Sequence, residues 1–157
     1  MNAANPNLSL FESVVATLGP LCARFVFVGG CITGLLVTEA ASPPVRATRD
    51  VDAIVQLVSL GDYHALERQL EQAGLRHDRS PDAPICRRLA GTALVDIMPT
   101  DESVLGFRSR WYEEAVRTAL TAAEGVAIAP RELPPVWPEP GRRAAEPASI
   151  RDTKPSD

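Results

Sequence analysis

The hexapeptide Asp-Val-Asp-Ala-Ile-Val at positions 50–55 constrains this chain more than any other stretch. Side chains alternate between the two faces of a strand, so Asp50 and Asp52 share one face, roughly 6–7 Å apart along the chain. Val51, Ala53 and Val55 then face the other way. Two carboxylates this close repel one another and raise one pKa unless a cation sits between them, and an oxygen-seeking divalent ion such as Mg²⁺ (or Mn²⁺) resolves that conflict. An exposed strand that merely opens on an Asp pair is the plainer alternative. A third acid, Asp96, interrupts the apolar run Ala-Leu-Val-Asp-Ile-Met-Pro and needs a partner there. If its strand lies beside the Asp50 strand, Asp96 completes a three-carboxylate site able to hold two metal ions and act on an attacking hydroxyl. On an edge strand it would simply face water.

The surrounding chain reads as a mixture of helices and strands. Leu8, Phe11, Val15 and Leu18 recur at helical spacing before Gly19-Pro20, which stops the helix. Phe25 to Val28 reads as a buried strand ending at Gly29-Gly30, and Cys31 to Ala40 as a helix. A glycine pair where strand turns into helix lets backbone N–H groups approach a phosphate with no Cβ in the way, although an ordinary tight turn uses the same residues. Ser42-Pro-Pro-Val breaks the helix, and Arg46-Ala-Thr-Arg leads into a strand over Asp50 to Val58. Tyr63, Leu66, Leu70 and Ala73 mark an amphipathic helix that Gly74 ends. Ile85 to Ala90 and Ala93 to Met98 read as antiparallel strands joined by Gly91-Thr92, with glycine first as a type II′ turn prefers. Phe107 to Ala123 reads as a last helix, its Trp111-Tyr112 pair expected in the core rather than stacking on a base. The expected fold class is therefore α+β, with a mixed sheet of about four strands packed with helices.

Composition bounds what these elements can serve. A chain of 157 residues with 45% hydrophobic content suits one core, here placed over residues 1–129. From Pro130 onward half of the fourteen prolines accumulate and apolar periodicity is lost, so residues 130–157 are expected to be a disordered tail. A net charge of −4 offers no global attraction to nucleic acid or an anionic membrane. With no apolar run near the roughly 20 residues of a membrane span and no secretory layout at the N-terminus, a cytoplasmic protein is expected. Cys22, Cys31 and Cys86 have no CxxC spacing and read as buried free thiols. His64 and His77 lack metal-ligand spacing and are expected at the surface, and no Ser or Cys sits in a nucleophile elbow.

The order strand, Gly-Gly, helix, Arg-x-Thr-x-Asp-x-Asp and a later strand Asp resembles the nucleotidyltransferase fold of the DNA polymerase β superfamily. The long spacer from Gly30 to Asp50 and the sequence Arg46-Ala-Thr-Arg-Asp-Val-Asp look most like AbiEii/AbiGii-type toxins of bacterial toxin–antitoxin systems. The resemblance runs from about Arg24 to Tyr112. It implies that Gly29 and Gly30 hold the triphosphate, that Asp50, Asp52 and Asp96 bind Mg²⁺ or Mn²⁺ and carry catalysis, and that Arg46 and Thr48 fix the loop or touch nucleotide. The implied reaction moves an NMP from an NTP to a hydroxyl of RNA, tRNA among the candidates, or of a protein, with Asp96 helping to deprotonate it. A cognate antitoxin would be the partner.

The family continues into a C-terminal helical region with a lysine motif that helps bind nucleotide, and nothing in this sequence corresponds. Lys154 is the only lysine, against fifteen arginines, so Arg87, Arg88, Arg108 or Arg110 would have to substitute electrostatically. The change of composition after about Ala129 fits a truncated or frame-shifted family member. That leaves a second expectation, a catalytically inactive domain that binds nucleotide or a partner protein. A minimal nucleotidyltransferase antitoxin fits less well, because those domains carry Gly-Ser and a shorter interval.

Overall fold

The computed structural model describes residues 5–36, 46–106 and 110–129. Helix α1, Leu8–Leu18, buries Phe11, Val14 and Leu18 on one stripe. It stops where Gly19 turns to φ 54° and donates its N–H to the Val15 carbonyl, and Pro20 opens a short 3-10 helix over Gly19–Arg24. Strand β1, Phe25–Val28, is buried on both faces, as its unbroken apolar run requires. Helix α2, Gly30–Leu36, follows, and the part of the expected helix beyond Leu36 lies outside the described residues.

Strand β2 spans Asp50–Val55, shorter than expected because the chain leaves the sheet after Val55, burying Leu57 and exposing Val58. Helix α3, Leu60–Gln72, starts at Ser59, whose side chain accepts from the Asp62 N–H as an N-cap, and buries Tyr63, Leu66 and Leu70. After β3, Leu75–His77, the hairpin of β4, Arg87–Ala90, and β5, Ala93–Pro99, forms as expected. Gly91 takes φ 64° while no non-glycine residue among those described has positive φ, as a turn with glycine first requires. A short α4, Glu102–Leu105, is capped by Asp101.

The last helix departs from expectation. Helix α5 covers only Arg110–Arg117, residues 107–109 lie outside the described residues, and Leu120–Ala123 is strand β6 rather than helix. It pairs antiparallel with β7, Val126–Ile128, around Gly125 at φ 71°. The alanines of Leu-Thr-Ala-Ala favour helix locally, but β7, laid parallel to β1, leaves its outer edge open, and pairing that edge outweighs a few tenths of a kcal/mol of propensity.

The result is an α+β fold around a mixed seven-stranded sheet, order β3-β4-β5-β2-β1-β7-β6, and not a sheet of about four strands. The three additional strands, β3, β6 and β7, have three or four residues each, too short for alternation to show in sequence. At the centre β1 and β2 are antiparallel while β2 and β5 are parallel. One sheet face, carrying Phe25, Phe27, Val51, Ala53, Val95 and Ile97, packs against α1, α2, α3 and α4. The other carries Val26, Val28, Ile54 and Met98 under Tyr112 and Ala115 of α5. The expected tail, 130–157, lies outside the described residues.

Candidate functional site

The sheet register decides which acids meet. Asp52 lies opposite Val28 on antiparallel β1 and opposite Asp96 on parallel β5, while Asp96 lies opposite Arg87 on β4. Val28, Asp52, Asp96 and Arg87 therefore form one row across four strands, on the face away from α1 and α3. Asp50 sits one pleat along β2 on the same face. The three carboxylates each offer an oxygen within 4.8 Å of the others. Asp50, Asp52 and Asp96 thus come together as expected, and the edge-strand alternative for Asp96 fails, because β5 is interior to the sheet and Asp96 is only 2% exposed.

Each acid has a different environment. Asp96 accepts two hydrogen bonds from Arg87, Nε to Oδ1 and Nη2 to Oδ2, both 2.8 Å. Asp50 accepts from the Thr48 hydroxyl, and its Oδ2 lies 3.8 Å from Arg87 Nη2. Asp52 is pushed up to about 7, first by burial and then by the charges of Asp50 and Asp96, with Arg87 opposing. The mutual repulsion read from the Asp-Val-Asp spacing therefore falls on Asp52.

The glycine pair divides its work. Gly29, at φ 78°, joins β1 to α2, and a Cβ built there would lie 2.5 Å from Asp52 Oδ2. Only glycine lets the Asp52 carboxylate fold against this turn. Gly30 has open space where a Cβ would stand, and its carbonyl accepts from Asn7.

Asn7 is 1% exposed and stitches the site's approaches together. Its amide donates to the carbonyls of Gly30 and Arg46, at 3.3 and 2.9 Å, and its Oδ1 accepts from the Thr48 N–H at 2.9 Å. Arg46 is thus anchored by its carbonyl, and Thr48 is held by its N–H while its hydroxyl orients Asp50. Nothing local marks these side-chain contacts of Asn7, whose partners in them are 23, 39 and 41 residues away.

Cys22, Cys31 and Cys86 are buried and free, as expected. The Cys31 thiol is pushed up to about 12 by burial and then by Asp52 and Asp50, and Cys86 likewise by burial and then Asp96, so neither is a nucleophile near neutral pH. Tyr112 is buried as expected, its hydroxyl donating to Met98 Sδ at 3.1 Å. His64 is exposed, but His77 is half-buried, and its Nδ1 has no hydrogen-bond partner among the described residues.

The donor set suits a hard divalent cation, since all three groups are carboxylates and they converge on one point. Three carboxylates and one guanidinium carry a formal charge of −2, which one divalent ion neutralises. No helix among the described residues is long and apolar enough to cross a membrane. No protein-family model matches the chain, and no curated protein matches it significantly.

Proposed function

We propose that this protein is a metal-dependent nucleotidyltransferase with a polymerase β-like fold, similar to AbiEii/AbiGii toxins, that moves an NMP from an NTP to an RNA or protein hydroxyl. The observation that carries this reading is the row Val28–Asp52–Asp96 with Gly29 folded against Asp52. A strand-to-helix glycine turn thereby opens beside three converging acids, an arrangement that supports a phosphate-binding backbone next to a cation site.

Asp50, Asp52 and Asp96 would hold Mg²⁺ or Mn²⁺, which when bound supplies neutralisation of phosphate charge and stabilises the leaving pyrophosphate. Thr48 keeps Asp50 turned toward the cluster, and Asn7 keeps Thr48 in place. Gly29 and Gly30 offer backbone at the triphosphate end, and the exposed Arg46 lies at the entry to the Asp50 strand. With both its oxygens engaged by Arg87, Asp96 is a holding group more than a proton acceptor. A cytoplasmic setting with a cognate antitoxin completes this reading.

Incubating the purified chain with Mg²⁺, each labelled NTP, and total RNA, tRNA or candidate proteins tests the proposal. Label transfer that Asp52→Asn abolishes is expected; absence of transfer to every acceptor removes the enzymatic reading. A sequence with Lys154 as its only lysine favours, as a second reading, a domain that binds nucleotide without turnover. Calorimetry with the four NTPs separates the two, since binding with no transfer selects the second.

A further inference from the structure

Arg87 sits in the carboxylate row itself rather than at its rim. Its side chain is 21% exposed, its fork closes on both Asp96 oxygens at 2.8 Å, and the same Nη2 reaches Asp50 Oδ2 at 3.8 Å. It is therefore the one cation among the described residues that touches two of the three acids.

We propose that Arg87 is the resident cation of the cluster and limits it, in the absence of nucleotide, to a single divalent ion held chiefly by Asp50 and Asp52. This rests on the metal-site reading above and deepens it. Each carboxylate oxygen has two lone pairs, so the Arg87 fork leaves one on each Asp96 oxygen. The formal charge of −2 that remains is cancelled by the first divalent ion. A second would enter a neutral cluster beside a guanidinium, with only the remaining lone pairs of Asp96 to receive it. Arginine suits this role because its planar fork matches a carboxylate and it stays protonated at every working pH. Arg87 acts through Asp96 and is in that sense a positioning residue. A purely structural clamp would make a different mark: its removal would loosen Asp96 and weaken metal binding, whereas removal of a resident cation strengthens it.

Titrating the full chain with Mn²⁺ without nucleotide, and following the free-ion signal by electron paramagnetic resonance, tests this. One bound Mn²⁺ per wild-type chain is expected. Arg87→Gln, which can still donate to Asp96, and Arg87→Met should each bind a second Mn²⁺ or hold the first at least about tenfold more tightly. Arg87→Lys, which keeps the charge, should stay at one. Two ions on the wild-type chain, or unchanged or weaker binding by Arg87→Gln, overturns the inference while leaving the proposed function standing. No Mn²⁺ bound by the wild type removes the metal site, and the proposed function with it. If Arg87→Met loses the circular-dichroism spectrum of the folded chain, the wild-type count and Arg87→Gln decide.

Discussion

Arg87 and Arg88 are neighbours on one short strand, yet they belong to different parts of the molecule. Pleating sends Arg88 to the face covered by α3, where it is 3% exposed and donates to the Tyr63 hydroxyl at 2.9 Å and to Glu67. Arg87 goes to the opposite face and the carboxylate row. Around Arg88 a single carboxylate meets a single cation, and burial is balanced by hydrogen bonds. Around Arg87 acids outnumber cations three to one, and Asp52 is left with the mismatch. The covered face thus pairs its buried charge within the chain, while the carboxylate face keeps an excess of acid over cation.

That contrast can be broken by substitutions on each face. The largest effect is expected for Asp52→Asn, which should lower label transfer by about 1000-fold or more through lost charge stabilisation, measured as initial rate at saturating NTP. Because it also removes the repelled charge, the variant should unfold at higher urea than wild type above pH 7. Arg88→Ala is the counterpart: about 3 kcal/mol of stability should be lost in urea melts, because Tyr63 and Glu67 keep their polar groups without the partner. Its Mn²⁺ binding at a temperature where it stays folded should be unchanged.

The third expectation concerns pH. The unfolded chain releases the Asp52 proton near the ordinary value of 3.8, whereas the folded chain keeps it up to about 7. Folding therefore takes up a proton between those values, so this group's contribution declines as pH rises from about 4 to about 7, by a few kcal/mol, and stays low above that. Asp52→Asn should flatten that slope, and Mg²⁺ at about a hundred times its Kd should restore about 2.7 kcal/mol at pH 8. Urea midpoints across the range check both. Gly29→Ala should cost about 1–2 kcal/mol from its positive φ, and its Cβ should displace the Asp52 carboxylate, so that Mn²⁺ affinity falls more than stability does. Least affected should be His64→Ala: its pair with Glu67 is exposed, and a loss within about 0.5 kcal/mol is expected.

Much of the site was legible in the sequence because it follows from counting. Alternation put Asp50 and Asp52 on one face, and the two-residue turn at Gly91-Thr92 fixes Ala90 opposite Ala93. Counting back three residues then sets Arg87 against Asp96, so the clamp was available to a reading that followed the hairpin register to its end. Sequence reading named Arg87 only as one of several arginines that could replace a lysine. The parallel pairing of β2 with β5 was open, since nothing local chooses a neighbour across 44 residues; the outcome follows from burying both apolar faces at once. Asn7 was invisible for the same reason. The β6–β7 hairpin was misread because alanine-rich segments state a helical preference that an unpaired sheet edge overrides.

Asn7 also has a bearing on how this chain can vary. By tying the carbonyl of Gly30 to that of Arg46, it closes a loop of the chain at its base, outside which the glycine turn and the acids keep their places. Doubling the length of such a loop adds only about 0.6 kcal/mol of closure entropy. A change in the length of chain between Gly30 and Arg46 is therefore expected to leave the glycine turn and the acids where they are, so this interval can diverge in length without rewriting the residues that do the chemistry.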